Sequence, residues 1–332
     1  MSSSGNTIAV IGAGSWGTAL AIQLAATHQV RLWGHDPAEI RQLQLDGENK
    51  QYLPGIKFPS QLQPEVDLKT TLSDASEVLL VVPSHAFASA CQQIAQINPS
   101  LASLSWATKG FDPSSNTLLS DVAKHYFPDT DLAVISGPTF AREVAIGMPT
   151  AVTVASDHLE HAQRVANYLR GKSFRAYTSD DMIGVQVGGA CKNVMAIAAG
   201  ISDGLGFGAN ARAALITRGL SEITRLGLAL GGKAETFMGL AGLGDLSLTC
   251  TDNQSRNRRM GLALARGLSI AEAKIEIGQE VEGINTAREV YTKAHALGVE
   301  MPITDQTYRV LHESLDPKRA VNNLLERQAG NE

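Results

Sequence analysis

The sequence predicts a mostly parallel α/β domain over residues 1–180 followed by an all-α domain over residues 181–332. Three observations lead there. Strand-like and helix-like segments alternate through the first half of the chain, which indicates a sheet covered by helices on both faces. Beyond Thr178-Ser179-Asp180-Asp181 the strand signals almost vanish and long helical patterns take over. The length, 332 residues, exceeds what one hydrophobic core comfortably serves. The expected strands are Thr7–Ile11, Val30–Trp33, Val78–Val82, Leu101–Trp106, Leu132–Ile135, Thr150–Ala155 and Phe174–Tyr177. Among the intervening helices, Asp157–Arg170 is expected to take Asp157 as its N-cap, with Gly171 just past its end. In the second half, Asn210–Leu230 is expected to set Arg212, Arg218, Glu222 and Arg225 on one polar face and to stop at Gly231-Gly232. Asn285–Leu297 is expected to start on a capping Asn285 and to end before Gly298.

Composition narrows the functional classes. With 44% hydrophobic and 18% charged residues, the chain has an ordinary soluble globular make-up. A formal net charge of −5 argues against a nucleic-acid or anionic-membrane surface, while leaving room for a local basic pocket. The cysteines Cys91, Cys191 and Cys250 are odd in number and far apart, so neither a disulfide framework nor a metal site is expected. A reducing cytoplasm is the natural setting for them. The opening MSSSGN runs into TIAVIG without a basic region or a long apolar stretch, so no secretory leader is expected.

The first chemical motif follows the first strand. Ile8-Ala9-Val10-Ile11 leads into Gly12-Ala13-Gly14-Ser15-Trp16-Gly17 and then the helix-like Thr18-Ala19-Leu20-Ala21-Ile22. In such a G-x-G-x-x-G turn Gly12 permits the tight bend, Gly14 lets a pyrophosphate approach the backbone, and Gly17 lets helix and strand pack closely. The helix N-terminus then offers the phosphates unpaired N–H groups and the positive end of its dipole. The second strand ends at Trp33-Gly34-His35-Asp36, where an acidic side chain would hold the ribose of NAD and a cationic one the extra phosphate of NADP. His35 and Asp36 stand there together, and Asp36 is also placed to cap the helix at Pro37. The residues lean towards NADP(H), with NAD(H) tolerated.

The second signal is a single charge. From Ile183 to Ser202, Lys192 is the only Asp, Glu, Lys or Arg. The stretch is long enough to span a membrane. Gln186, Lys192, Asn193 and four glycines, without a positive flank, instead indicate a buried helix and no membrane insertion. A lysine buried there costs several kcal/mol unless it is paired or neutralised. Three further polar patches are candidates for a pocket. Ser105–Gly110, with Lys109, and Ser136–Ala141, with Gly137 and Thr139, end strands, where open α/β sheets carry ligands. Gly242–Cys250, with Asp245, leads on to Ser255-Arg256-Asn257-Arg258-Arg259, whose forked cations and amide suit a phosphate monoester. Each has a structural alternative: Lys109 as a solvated loop end, Asp245 as a cap, Arg258 and Arg259 as a solvated face.

Taken together these blocks resemble the NAD(P)-dependent glycerol-3-phosphate dehydrogenases of the bacterial type. The likeness is carried by GAGSWGTALA from Gly12, WATKG ending at Gly110, SGPTFAREV from Ser136, GLGDLSLTC from Gly242, SRNRRMG from Ser255 and GQEVEG from Gly278. Its longest block runs from Gly189 to Asn210 through K-N, A-x-A-x-G, D-G and G-x-N. Two positions depart from the family: Cys191, where a branched aliphatic residue is more frequent, and Glu280, where a valine is more usual. The matching blocks run from residue 8 to about 290.

The resemblance implies a Rossmann-type N-terminal domain and a helical C-terminal substrate domain. It implies the reversible exchange of sn-glycerol 3-phosphate and NAD(P)+ with dihydroxyacetone phosphate and NAD(P)H, supplying glycerol 3-phosphate for phospholipid synthesis. It makes Lys192 the proton acceptor in oxidation, a role that fits the bottom-up expectation that burial drives its pKa towards neutrality. By the same likeness Lys109 contacts cofactor and substrate, and Asp245 and Thr249 orient Lys192 and the reacting oxygen. Ser255, Arg256 and Asn257, with Gly137 and Thr139, hold the substrate. Ser15, Trp16, His35, Ala141, Arg256, Glu280 and Glu282 lie on the cofactor side. The small residues Gly188, Gly189, Ala190 and Ala196 are expected to let the helix approach the nicotinamide. A cytoplasmic homodimer is the family expectation.

Overall fold

The computed structural model describes residues 7–326, and the chain divides into two compact units at Met182/Ile183. The first unit is built on one sheet. Its strands are β1 (Thr7–Ile11), β2 (Gln29–Trp33), β3 (Leu62–Glu65), β4 (Ala75–Leu80), β5 (Ser103–Trp106), β6 (Asp131–Ser136), β7 (Thr150–Ala155) and β8 (Phe174–Ser179). They lie in the order β3-β2-β1-β4-β5-β6-β7-β8, and every neighbouring pair is parallel except β6 with β7. The order reverses between β1 and β4, which leaves a crevice outside their carboxyl ends. Helices α1 (Ser15–Leu24), α2 (Pro37–Asp46), α3 (Leu68–Leu72), α4 (Ser84–Ile97), α5 (Leu119–Tyr126), α6 (Ala141–Ala145) and α7 (Leu159–Leu169) connect or follow these strands. The core is continuous: Ile8 and Val10 of β1, Leu32 of β2 and Leu79 of β4 pack with Leu20 and Leu24 of α1 and Val165 and Leu169 of α7.

Two details of this unit differ from the sequence expectation. β3 carries Pro64, which hides a strand signal, and the sheet tolerates the missing N–H because β3 is the edge strand. Asp157 does not cap α7. His158 occupies the N-cap position without a side-chain cap, and the Asp157 carboxylate accepts from Lys124 Nζ at 3.1 Å.

The second unit is helical throughout its described residues. It comprises α8 (Met182–Gly204), α9 (Gly208–Ala229), α10 (Ala234–Phe237), a π-helical turn at Leu240–Gly244, α11 (Asp245–Thr251), α12 (Arg256–Ala265), α13 (Ile270–Ile277), α14 (Gly283–Ala296), α15 (Pro302–His312) and α16 (Pro317–Leu325). Helix α8 is long and apolar enough to cross a membrane, but 94% of its most apolar window is buried within the protein, as a core helix would be. Glycines let it sit against its neighbours. At Gly200 a Cβ would lie 2.1 Å from the Arg258 carbonyl oxygen, and at Gly261 of α12 one would lie 2.1 Å from that of Ile197.

Two helix readings are corrected here. Glu222 is not on the polar face of α9: it is buried, and its carboxylate accepts from Ile303 N at 2.7 Å and Thr304 N at 3.2 Å. It thus satisfies first-turn donors of α15 from another helix. Burial pushes its pKa up to about 7 against the pull of those N–H donors. Asn285 is not a cap either. Helix α14 begins two residues earlier, at Gly283, with Glu282 in the cap position.

Candidate active site

The glycine turn has the geometry its spacing implies. Gly12 has φ +121°, and a Cβ there would meet Val81 O at 2.3 Å; at Gly17 one would lie 1.8 Å from Gly12 O. At Gly14 a Cβ would find nothing within 4 Å. Two glycines are therefore demanded by packing and the middle one by an open approach. Gly14 is the N-cap of α1 and supplies no side chain, so the first-turn N–H groups of Ser15, Trp16 and Gly17 face a space fit for phosphate oxygens. Asn49 completes the turn from outside the motif: it is buried, and its Nδ2 donates to Ala13 O at 2.9 Å and to Thr18 Oγ1 at 2.8 Å. No local pattern marks Asn49, because its partners lie more than thirty residues away. Past β2, His35 is exposed, while Asp36 caps α2 by accepting from Ala38 N at 2.7 Å. The open approach at Gly14 and the first turn of α1 suit the pyrophosphate of a dinucleotide.

Farther along the same sheet the ends of β5 and β6 lie side by side, and they bring three more expected residues together. Lys109 Nζ donates to Gly137 O at 3.3 Å, and Thr139 Oγ1 donates to the same oxygen at 3.2 Å. Gly137 has φ +154°, and a Cβ there would lie 2.9 Å from Val152 Cα, so only glycine fits this bend. Lys109 is half-buried and tied to backbone, not a freely solvated loop end. Ala141 opens α6 directly after this segment.

In the second unit the lone lysine of α8 has found its counter-charge. Lys192, Asp245 and Thr249 are 6%, 0% and 5% exposed. Lys192 Nζ forms a close ion pair with Asp245 Oδ1 and donates to Thr249 Oγ1 at 3.1 Å. Thr249 Oγ1 itself donates to Asp245 O at 2.6 Å, which leaves its lone pair to receive the ammonium. Asp245 is therefore no mere cap. It offsets the desolvation of the lysine, so burial alone does not set the balance of this group. The approach of the two segments depends on Gly188, one turn before Lys192. A Cβ there would lie 2.5 Å from Ala241 O in the π-helical turn that delivers Asp245. Gly188 thus serves a contact within this unit, at a π-helical turn of the kind frequent at functional sites. The neighbouring thiols take no part: burial pushes Cys250 up to about 12 and raises Cys191 well above its ordinary value, so both stay protonated.

The third cluster is the first turn of α12. Ser255 is its N-cap and accepts from Arg258 N at 3.2 Å, keeping its own O–H for a further acceptor. Asn257 Oδ1 accepts from Gly283 N at 2.9 Å, which fixes the amide and turns its NH2 the other way. That bond also ties the turn to the start of α14, where half-buried Glu282 stands in the cap position; Glu280, just before it, is exposed. Arg256 is half-buried. Arg258 is not part of a solvated face, since it is buried against Asp203.

Comparison with known proteins places the chain in a family. The family described as NAD-dependent glycerol-3-phosphate dehydrogenase N-terminus matches residues 7–162, and that of the corresponding C-terminus matches residues 181–322. The chain belongs to the NAD-dependent glycerol-3-phosphate dehydrogenase family. It is 55% identical to the glycerol-3-phosphate dehydrogenase [NAD(P)+] of Pseudoalteromonas translucida over the whole of both chains. It is also 55% identical to that of Aeromonas hydrophila over 98% of each. The crystal structure of glycerol-3-phosphate dehydrogenase from Coxiella burnetii superposes with a TM-score of 0.95 at 48% identity, covering 98% of this chain and 100% of that one. The Rossmann-type first unit and the helical second unit are the architecture of this family.

Proposed function

We propose that the protein interconverts sn-glycerol 3-phosphate and dihydroxyacetone phosphate with NADP(H) or NAD(H), and so supplies glycerol 3-phosphate for phospholipid synthesis. Residues 1–180 hold the cofactor, and residues 181–332 hold the substrate and the proton-transferring group. The observation that carries the reading is the buried contact of Lys192 with Asp245 and Thr249 in a chain that also bears a dinucleotide cradle. The family membership and the names of its relatives support it.

The nicotinamide, when bound, supplies the hydride to C2 in reduction and takes it up in oxidation. The chain does the rest. Gly12, Gly14 and Gly17 and the first turn of α1 take the pyrophosphate, and Trp16, His35, Ala141, Glu280 and Glu282 complete the cofactor contacts. Lys192, oriented by Asp245 and Thr249, gives a proton to the oxygen on C2 as negative charge develops there, and takes it back in the reverse direction. Lys109 adds positive charge for that oxygen, with Gly137 and Thr139 assisting. Arg256 and Asn257, with Ser255, hold the phosphate and thereby position C2. The exposed His35 beside an Asp36 committed to a helix cap favours NADPH over NADH. We read the protein as a cytoplasmic homodimer without membrane insertion, following the family and the core position of α8.

The test follows oxidation of NADPH and of NADH with dihydroxyacetone phosphate, in wild type and in Arg256→Ala. Removing one or two charge-assisted bonds should lower kcat/KM for the phosphorylated substrate by at least ~10²-fold. With dihydroxyacetone, which has no phosphate, variant and wild type should be almost equally poor. An equal fractional loss on both substrates would show that Arg256 holds the fold or the cofactor instead.

A further inference from the structure

The first turn of α12 is anchored from α8. Asp203, the penultimate residue of α8, lies between two guanidinium groups: its Oδ2 accepts from Arg258 Nη1 at 2.5 Å and from Arg212 Nη1 at 2.7 Å. Arg258 Nε donates to Asn253 Oδ1 at 3.1 Å, on the segment leading into α12. The side chains of Asp203 and Arg258 are each 9% exposed, whereas that of Arg212 is 30% exposed. Asp203 Oδ1 is buried and accepts from no group among the described residues. One carboxylate facing two guanidinium groups leaves the cluster with surplus positive charge, at the turn that carries Arg256.

A buried ion pair is weak support for stability, because desolvation consumes much of the attraction. What it does provide is a fixed position. Arg258 is locked at three points: its side chain on Asp203, its N–H on Ser255 Oγ, and its carbonyl oxygen against Gly200, where a Cβ would lie 2.1 Å away. Asn257, its neighbour, is held by Gly283 N. Arg256 thus extends from a turn whose backbone cannot drift. Such accuracy has kinetic weight, since a 1 Å misplacement of a substrate costs on the order of 10²-fold.

We infer that Asp203 is a positioning residue for the substrate phosphate: through Arg258 it fixes the first turn of α12, so that Arg256 and Asn257 present their donors in one geometry. The inference rests on the reading of Arg256 and Asn257 as phosphate ligands. Lys192 and Asp203 lie about three turns apart on α8, roughly 16 Å along its axis. One rigid helix then carries both the proton-transferring group and the anchor of the phosphate turn.

Steady-state kinetics of the full chain test this with Asp203→Asn, Asp203→Glu, Arg258→Lys, Arg256→Ala and the double variant Asp203→Asn/Arg256→Ala. Asp203→Asn should raise KM for dihydroxyacetone phosphate and lower kcat/KM by about tenfold or more. Turnover of dihydroxyacetone and KM for NADPH should stay within about twofold of wild type. Asp203→Glu, which keeps the charge, should recover part of the loss. Added to Arg256→Ala, Asp203→Asn should contribute less than about threefold, because the group it positions is already gone. Arg258→Lys keeps a charge but loses the planar fork that reaches Asp203 through Nη1 and Asn253 through Nε, so it should show the same phosphate-selective loss. It decides the question if Asp203→Asn does not fold. Equal losses on both substrates, full additivity with Arg256→Ala, or no loss in either anchor variant would overturn the inference. If Arg256→Ala is selective for the phosphorylated substrate and the anchor variants are not, only the positioning role falls. If Arg256→Ala is itself unselective, the phosphate reading falls and takes the inference with it.

Discussion

At the scale of single residues, the site is legible where chemistry forces an unusual side chain into an unusual place. Lys192 stands out because nothing else charged lies within ten residues of it on α8. Its partners are harder to read: Asp245 and Thr249 are more than fifty residues away, Asp245 stands out only as one polar patch that also reads as a cap, and no local signal marks Thr249. The resemblance to a family supplies Thr249 and the orienting role of both, and the buried contact gives the physical reason. Lys192→Ala should fold and bind NADPH yet lose turnover by ~10²–10⁴-fold, the usual worth of a positioned acid–base group. Asp245→Asn tests the pair differently, since it keeps the shape and removes the negative charge that offsets the buried ammonium. Its pH–rate profile should shift to lower pH on the limb that reports Lys192; an unshifted profile would mean that Asp245 does not act on the lysine charge. At the other end of the cofactor, His35→Ala should raise KM for NADPH more than for NADH, and a parallel change in both would remove His35 from reading the 2′-phosphate.

At the scale of elements, strands were legible from runs of Val, Ile, Leu and Ala because a parallel sheet buries both of its faces. The miss at Leu62–Glu65 has the opposite cause: an edge strand is selected for pairing on one side only, and its proline is then tolerated. Helix ends were less legible. Asp157 and Asn285 look like caps, but the competing uses, an ion pair with Lys124 and a place within the first turn of α14, are set by tertiary packing. Glu222 was misassigned for the same reason, as its two backbone partners lie eighty residues ahead. The glycines of α8 show how one element serves the site through shape. Gly188→Ala would push a methyl group into the Ala241 carbonyl oxygen, 2.5 Å away, and the backbone of the π-helical turn has to move. Overpacking of this kind costs about 1–3 kcal/mol, and here the displaced segment carries Asp245. The expected result is a lower melting temperature together with a kcat loss greater than any change in KM for NADPH. Unaltered kcat in a destabilised variant would separate the packing of this turn from catalysis.

At the scale of the whole molecule, the pH dependence of stability follows from buried groups far from the chemistry. Glu77 of β4 is 2% exposed; its Oε2 accepts from Ser103 Oγ at 2.9 Å, and its Oε1 has no partner among the described residues. Desolvation raises its pKa from 4.5 to about 7, opposed by the hydroxyls of Ser103 and Ser105 and by the charge of Arg164. The folded protein therefore holds this proton more tightly than the unfolded chain does. Between about pH 4.5 and 7 the unfolded state releases it first, so stability falls as pH rises through that window and levels off above it. Glu222 contributes a slope of the same sign. Buried His161, held neutral with a pKa lowered to about 4 mainly by desolvation, works from the other side and lowers stability as pH falls below 6.5. Glu77→Gln removes only the first of these effects and leaves the other two in place. The three tryptophans, Trp16, Trp33 and Trp106, all lie in the unit that contains Glu77, so denaturation followed by their fluorescence reports on the right part of the chain. The variant should gain on wild type by about 1–3 kcal/mol between pH 5 and pH 8, the linkage value of a shift of this size taken as an upper bound. The comparison across pH matters more than the stability at either value, because the amide introduces its own unsatisfied donors in a dry site and lowers both. If the two proteins lose stability in parallel from pH 5 to pH 8, Glu77 is ionised in the folded state, and the pH dependence must come from Glu222 or from the surface.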